Sequence, residues 1–392
     1  MSELYEGREQ SQVKHFILRK YLERFARIIG MSREQPIAYV DCFSGPWNVQ
    51  SIDLKDSSFA IALDELLKAQ HTCKQNGKSL PLRCFFLEEN KRAYGELAHY
   101  AADKSAFAEI MTKNASLADS VPEILNFIHS SPKVSFPFIF LDPTGWSGLE
   151  LDVISPLLKL RPGEVLINFM SSFIRRFIKL RDPATYQSFQ RVFGPFLPSI
   201  SELQNLESEA LEDALLDAYS NLLRDVGGFP LICKAIVLHP QIDSTYFHLI
   251  YATRNKKGVE AFKAAERGAM NLQQSSRAKV KGKKRTERDG PELFTAEVMD
   301  DPRHFKSLCV RYCAKSKSKV TGLLNTQPIT RFDEVWVAAL TEPLVQEADL
   351  KSWIAEWQAA GQLKIIGMAE NQRVPQWGQK IRLSVTSTTP LM

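Results

Sequence analysis

Ile37-Ala38-Tyr39-Val40-Asp41-Cys42-Phe43-Ser44-Gly45-Pro46 decides the fold. Four strand-compatible residues end in an acid and then in a turn of small residues. A ligand pocket opens this way in an α/β sheet, because ligands bind beyond the carboxyl ends of the strands and glycine lets backbone approach them closely. Two further apolar runs end alike. Cys84-Phe85-Phe86-Leu87 leads into Glu88, and Phe138-Ile139-Phe140-Leu141 leads into Asp142. Three strand-end acids separated by helical patterns predict one site lined from three adjacent strands.

Working outward, apolar residues at helical spacing predict a helix over 12–29 that closes at Gly30. Strands and helices then alternate through a weaker strand over 107–111 and an apolar strand over 136–141, which suits a central parallel strand buried on both faces. The strand over 164–169 completes five βα units. Two β runs, 231–239 and 245–253, are joined by Pro240-Gln241-Ile242-Asp243-Ser244. So short a loop joins only antiparallel neighbours. Five parallel strands and an antiparallel hairpin make the Rossmann-like sheet of class I methyltransferases, which use S-adenosylmethionine (SAM). A dinucleotide-binding dehydrogenase would instead carry G-x-G-x-x-G after its first strand, and here Trp47 stands where a further glycine would be.

Length and composition agree with a two-domain α/β protein. The chain has 392 residues, 44% hydrophobic and 24% charged, and a net charge of +5. Its polar, acidic amino terminus is not a signal peptide, and no apolar run reaches the roughly 20 residues that span a bilayer. Six scattered cysteines, several inside apolar runs, suit reduced thiols in a cytoplasm. Cys309 and Cys313 are spaced i, i+4 on a helix, but no second pair completes a metal site, so no metal is expected.

Specific residues extend the argument. Lys14-His15, Ile17-Leu18-Arg19-Lys20-Tyr21-Leu22, the Tyr39 to Pro46 stretch and Phe86-Leu87-Glu88 occur in order. Phe140-Leu141-Asp142-Pro143-Thr144-Gly145-Trp146-Ser147-Gly148 and Leu166-Ile167-Asn168-Phe169-Met170 follow. In these pieces, spread over residues 10–270, the chain resembles the three-Cys-motif partner protein (TcmP) family, bacterial proteins with a methyltransferase-like core. The resemblance implies a SAM site that Lys14 and His15 border, with Glu88 rather than Glu89 on the ribose. Two departures stand out: Trp47 replaces a glycine common in the family, and Asn114 stands where the family tends to have an acid near the adenine ring.

Each candidate has a competing role. Asp41 either contacts the cofactor directly or through water, with Phe43, Ser44 and Gly45 lining the same cofactor site, or simply caps the turn. Glu88 suits the two ribose hydroxyls, which a carboxylate accepts well. Asn114 either meets the adenine edge or caps the following helix. Asp142-Pro143-Thr144-Gly145-Trp146 resembles the D-P-P-Y motif of methyltransferases acting on adenine N6 or cytosine N4. In that reading Asp142 and the Pro143 carbonyl accept the amino hydrogens of the target and Trp146 stacks on its base. In the other, Trp146 is packed into the core.

The last third changes character. Residues 277–288 hold seven basic residues and one acid, which predicts a mobile loop or linker over 276–292 that can meet phosphates. Beyond it, two helices over 332–340 and 347–357, the second ending at Gly361, and two strands over 363–366 and 380–385 predict a winged helix, 293–392, that binds nucleic acid or a partner protein. The methyltransferase-like domain would then span 1–275. The sequence therefore predicts a cytoplasmic SAM-dependent enzyme that methylates a nucleobase amino group in DNA or RNA. The rival is a non-catalytic SAM- or nucleotide-binding adaptor acting with a protein partner.

Overall fold

The computed structural model describes residues 3–33, 35–46, 49–180, 182–289, 303–327, 329–369, 372, 374–386 and 391. The chain divides into two compact units, Met1–Ile232 with Ile236–Val298, and Cys233–Ala235 with Met299–Met392. Trp47 and residues 290–292 lie outside the described residues.

In the first unit α1 (Glu9–Arg33) precedes the alternation of β1 (Ile37–Asp41), α2 (Ser58–Gln75), β2 (Leu82–Glu88), α3 (Lys91–Lys104) and β3 (Glu109–Asn114). It continues through α4 (Leu117–His129), β4 (Phe136–Leu141), α5 (Leu151–Leu158) and β5 (Glu164–Phe169). Then come α6 (Ser171–Ile178), α7 (Pro183–Phe193), α8 (Ile200–Gln204), α9 (Ser208–Asp225), β6 (Leu231–Leu238), β7 (Thr245–Thr253) and α10 (Lys256–Asp289). Seven strands form one sheet in the order β3-β2-β1-β4-β5-β7-β6, with β1 to β5 parallel and β7 antiparallel to β5. This mixed α/β sheet is consistent with a Rossmann-like methyltransferase fold.

Pleat alternation divides the strand side chains between two layers. Ala38, Val40, Phe85, Leu87, Ile139, Leu141, Val165 and Ile167 pack with α4, α5, α7 and α9 in one continuous core. Tyr39, Asp41, Phe86, Glu88, Phe138 and Phe140 take the opposite face. There Tyr21 of α1 stacks on Phe138, and Ser58 of α2 donates to Asp41. Helix starts are set locally: Ser57, Asn90 and Ser116 accept from backbone N–H groups at the first turns of α2, α3 and α4.

Three elements differ from their sequence reading. Gly30 does not end α1; a methyl there would lie 2.5 Å from Cys73 Sγ, so the glycine marks a close crossing of α1 and α2 rather than a cap. The edge strand β3 runs on to Asn114, and Ser116, not Asn114, caps α4. The basic run through 289 is the end of the 34-residue α10, not a loop. Charge count alone misread it, because Arg277 and Ala278 are buried while neighbouring lysines face outward. Lysine and arginine are also good helix formers.

The second unit comprises α11 (Arg303–Thr326), β8 (Ile329–Arg331), α12 (Phe332–Leu340), α13 (Glu347–Ala359), β9 (Leu363–Ile366) and β10 (Arg382–Val385). An antiparallel sheet in the order β8-β10-β9 closes it. Gly361, at φ 68°, turns the chain out of α13 as the sequence predicts. The third strand β8 was not legible. No helix among the described residues is long and apolar enough to cross a membrane.

Candidate functional site

The site is built from strand register. Asp41, the last residue of β1, pairs with Phe86 on one side and Phe140 on the other. Glu88 and Asp142 each stand two residues further on, so pleat alternation puts all three carboxyl groups on the α1–α2 face of the sheet. Asn114 pairs with Glu88, and Asn168 follows the rung in which Leu141 pairs with Ile167, level with Asp142. Five neighbouring strands thus contribute one polar row at their carboxyl ends.

Asp41 is fully buried. Its carboxylate accepts from Phe43 N–H at 3.1 Å and from Ser58 Oγ at 3.0 Å. Burial, against those hydrogen bonds and with Asp142 nearby, pushes its pKa up to about 7. Ser44 fastens the same turn: its N–H donates to Leu87 O at 2.7 Å and its hydroxyl to Asp41 O at 2.9 Å. Phe43 lays its ring on Gly148, where a Cβ would come within 2.7 Å, so the turn after β1 touches the turn after β4. Gly45 is half-buried beside them. Asp41 therefore holds the turn beneath the row of acceptors.

Glu88 is 5% exposed, with no cation paired to it among the described residues. Burial raises its pKa, partly offset by the Asn90 N–H that reaches Oε1 at 2.6 Å. Glu89 is exposed, so Glu88 is the inward carboxylate of the two. Asn114 donates to the backbone oxygens of Glu88 and Glu89 at 2.8 and 2.9 Å, bracing the end of β2.

Asp142 is held from two sides. Lys14 of α1 pairs with Oδ2, and Asn168 Nδ2 donates to Oδ1 at 2.8 Å. Pro143 is buried next to it. Trp146 is turned to the core: Nε1 donates to Ser188 Oγ at 2.8 Å, and the ring packs on Phe177 and Phe189 at 5.1 and 4.9 Å. His15, one residue from Lys14, points elsewhere. It is buried against Tyr5, whose hydroxyl lies 3.0 Å from Nδ1, and burial followed by the charge of Lys14 depresses its pKa well below the usual value.

Sequence reasoning missed several positioning residues. Arg8 pairs with the buried Asp56, which also accepts from Gln50 N–H at 2.9 Å and ties down the loop before α2. Asn168 had a readable signal, a polar side chain between the apolar residues Ile167 and Phe169 of a buried strand. The basic run is split by the helix that carries it. Arg277 clamps the β6–β7 turn, donating to His239 O, to Ile242 O at 3.0 Å and to Asp243 at 2.5 Å. Lys279, Lys283 and Lys284 instead line a groove of about 470 Å3 with Glu9 and Gln12 of α1. Phe169 at the end of β5 pairs with His248 near the start of β7, so this turn lies at the same sheet edge as the polar row. No cluster of three or more metal-ligating side chains occurs among the described residues.

No family model matches the chain, and no curated protein matches it. Among solved structures it is similar, distantly, to a protein of Legionella pneumophila strain Philadelphia 1 described by the family model DUF519. That match has 10% identity over 67% of this chain and 92% of the other, with a TM-score of 0.39. It is also similar to a loganic acid methyltransferase with SAH, with 11% identity over 74% of this chain and 94% of the other and a TM-score of 0.31.

Proposed function

We propose that the protein is a SAM-dependent methyltransferase of TcmP-like type, acting on an exocyclic amino nitrogen of a nucleobase in DNA or RNA, with a winged helix as its second unit. The observation that carries this reading is the register: Glu88 and Asp142 stand two residues beyond the Asp41 rung, on one face, at the ends of the strands flanking β1. An edge of acceptors with Lys14 as its cation complements a cofactor carrying hydroxyl and ammonium donors and one carboxylate. Glu88, buried with no cation paired to it among the described residues, suits the ribose hydroxyls. When bound, the cofactor supplies an electrophilic methyl group on a sulfonium. Asp142 and the Pro143 carbonyl orient the target amino group so that its lone pair faces that methyl, and positioning supplies most of the rate. The outward lysines of α10 offer contacts to phosphates at the same edge.

Two contacts favour a second reading, a cofactor-binding adaptor that acts with a partner protein. Both oxygens of Asp142 already accept from Lys14 and Asn168, and the Trp146 ring is occupied by Phe177 and Phe189. Radiolabelled methyl transfer to mixed cellular DNA and RNA separates the two. The enzyme reading expects labelling by the wild type and a loss of about 10²–10³ in rate for Asp142→Ala. No transfer to any pool supports the adaptor, and full rate in Asp142→Ala moves the chemistry elsewhere.

A further inference from the structure

Asn168 is 5% exposed, and its amide does two different things. Nδ2 donates to Asp142 Oδ1 at 2.8 Å, while Oδ1 is buried and meets no donor among the described residues. The amide cannot be turned round, because its neighbour is a carboxylate that only accepts when ionised. Lys14 holds the other oxygen of that carboxylate, so the order Lys14, Asp142, Asn168 fixes which atom of the amide remains as an acceptor. A buried acceptor without a donor is destabilising and rare in native proteins. Such an atom beside a strand-end carboxylate is suited to a ligand N–H.

We propose that Asn168 Oδ1 is the acceptor that recognises the target amino group, and that Asp142 acts largely by orienting the Asn168 amide. This deepens the methyltransferase reading and rests on it for the identity of the ligand class, a primary amino group on a planar heterocycle. The Lys14 and Asp142 side chains next to this amide keep 13% and 9% exposure. A ligand carrying a carbonyl at the same position would set acceptor against acceptor and is rejected.

The test compares nucleosides that differ only in that group. Adenosine and cytidine are each titrated against the analogue bearing hydrogen in place of the amino group, using the full chain, Asn168→Ala and Asp142→Asn. SAM binding is measured on the same samples. The wild type is expected to prefer at least one aminated nucleoside by about tenfold or more. Asn168→Ala abolishes that preference, and Asp142→Asn weakens it because its own amide lets Asn168 turn. An undiminished preference in Asn168→Ala overturns the assignment, as does a wild type that distinguishes neither pair. Should Asn168→Ala not fold, an undiminished preference in Asp142→Asn overturns it instead. SAM binding without amino preference defeats this inference alone, whereas failure to bind SAM defeats the enzyme reading and leaves the nucleoside comparison to decide Asn168.

Discussion

Lys14 and Asp142, 128 residues apart in sequence, form an ion pair whose side chains are 13% and 9% exposed, joining α1 to the end of β4. This contact makes the amino-terminal helix part of the site. Removing one partner strands a desolvated charge, so Lys14→Met is expected to cost about 3 kcal/mol of stability. Lys14→Met with Asp142→Asn should recover much of that loss, because neither charge then remains. Denaturant unfolding of both variants checks this; equal losses in the single and the double variant would contradict it.

Asp41 predicts a pH dependence. Its pKa rises from 3.8 to about 7 in the fold, so the folded protein holds a proton that the unfolded chain releases. The stabilising contribution of the protonated group is complete below pH 4 and is lost as pH rises to about 7. Asp41→Asn removes this loss and keeps an acceptor for Phe43 N–H. Its stability relative to wild type should therefore climb between about pH 4 and pH 7, by an amount on the order of 4 kcal/mol, then level off. A difference that does not change with pH, followed by thermal melts, would refute the assignment.

Gly30 makes a steric prediction. Gly30→Ala places a methyl against Cys73 Sγ and is expected to cost about 1–3 kcal/mol despite better helix propensity. Adding Cys73→Ala should restore most of it. A neutral Gly30→Ala would show that α1 and α2 can separate freely.

The basic face of α10 divides into structural and surface charges. Arg277→Gln loosens the β6–β7 turn and should lower stability by about 1–3 kcal/mol. Replacing Lys279, Lys283 and Lys284 by Ser should lower the melt only slightly, through helix propensity, while flattening the salt dependence of duplex DNA binding by up to about 0.9 per lost phosphate contact. A salt slope equal to that of the wild type would take these lysines out of any nucleic-acid contact.

The sheet was legible because its signals are local. Apolar runs ending in Asp41, Glu88 and Asp142 give the parallel strands, and the short segment after His239 forces an antiparallel pair. What was not legible depends on which way a helix turns. Lys14 and His15 are adjacent letters, yet one reaches Asp142 and the other is buried against Tyr5. Arg277 reads as one more positive charge until the helix aims it at the β6–β7 turn. Trp146 fits a stacking role in sequence, and only the positions of Phe177 and Phe189 show that its ring is already covered.

The central claim is that the polar row at the strand ends holds SAM through Glu88. Calorimetric titration of SAM into the wild type and into a folded Glu88→Ala variant tests it most directly. Saturable binding to the wild type is expected, weakened by roughly 1.5–3 kcal/mol in Glu88→Ala through loss of the charged acceptor for the ribose. No heat with the wild type at millimolar cofactor, or an unchanged dissociation constant in the variant, would contradict the account.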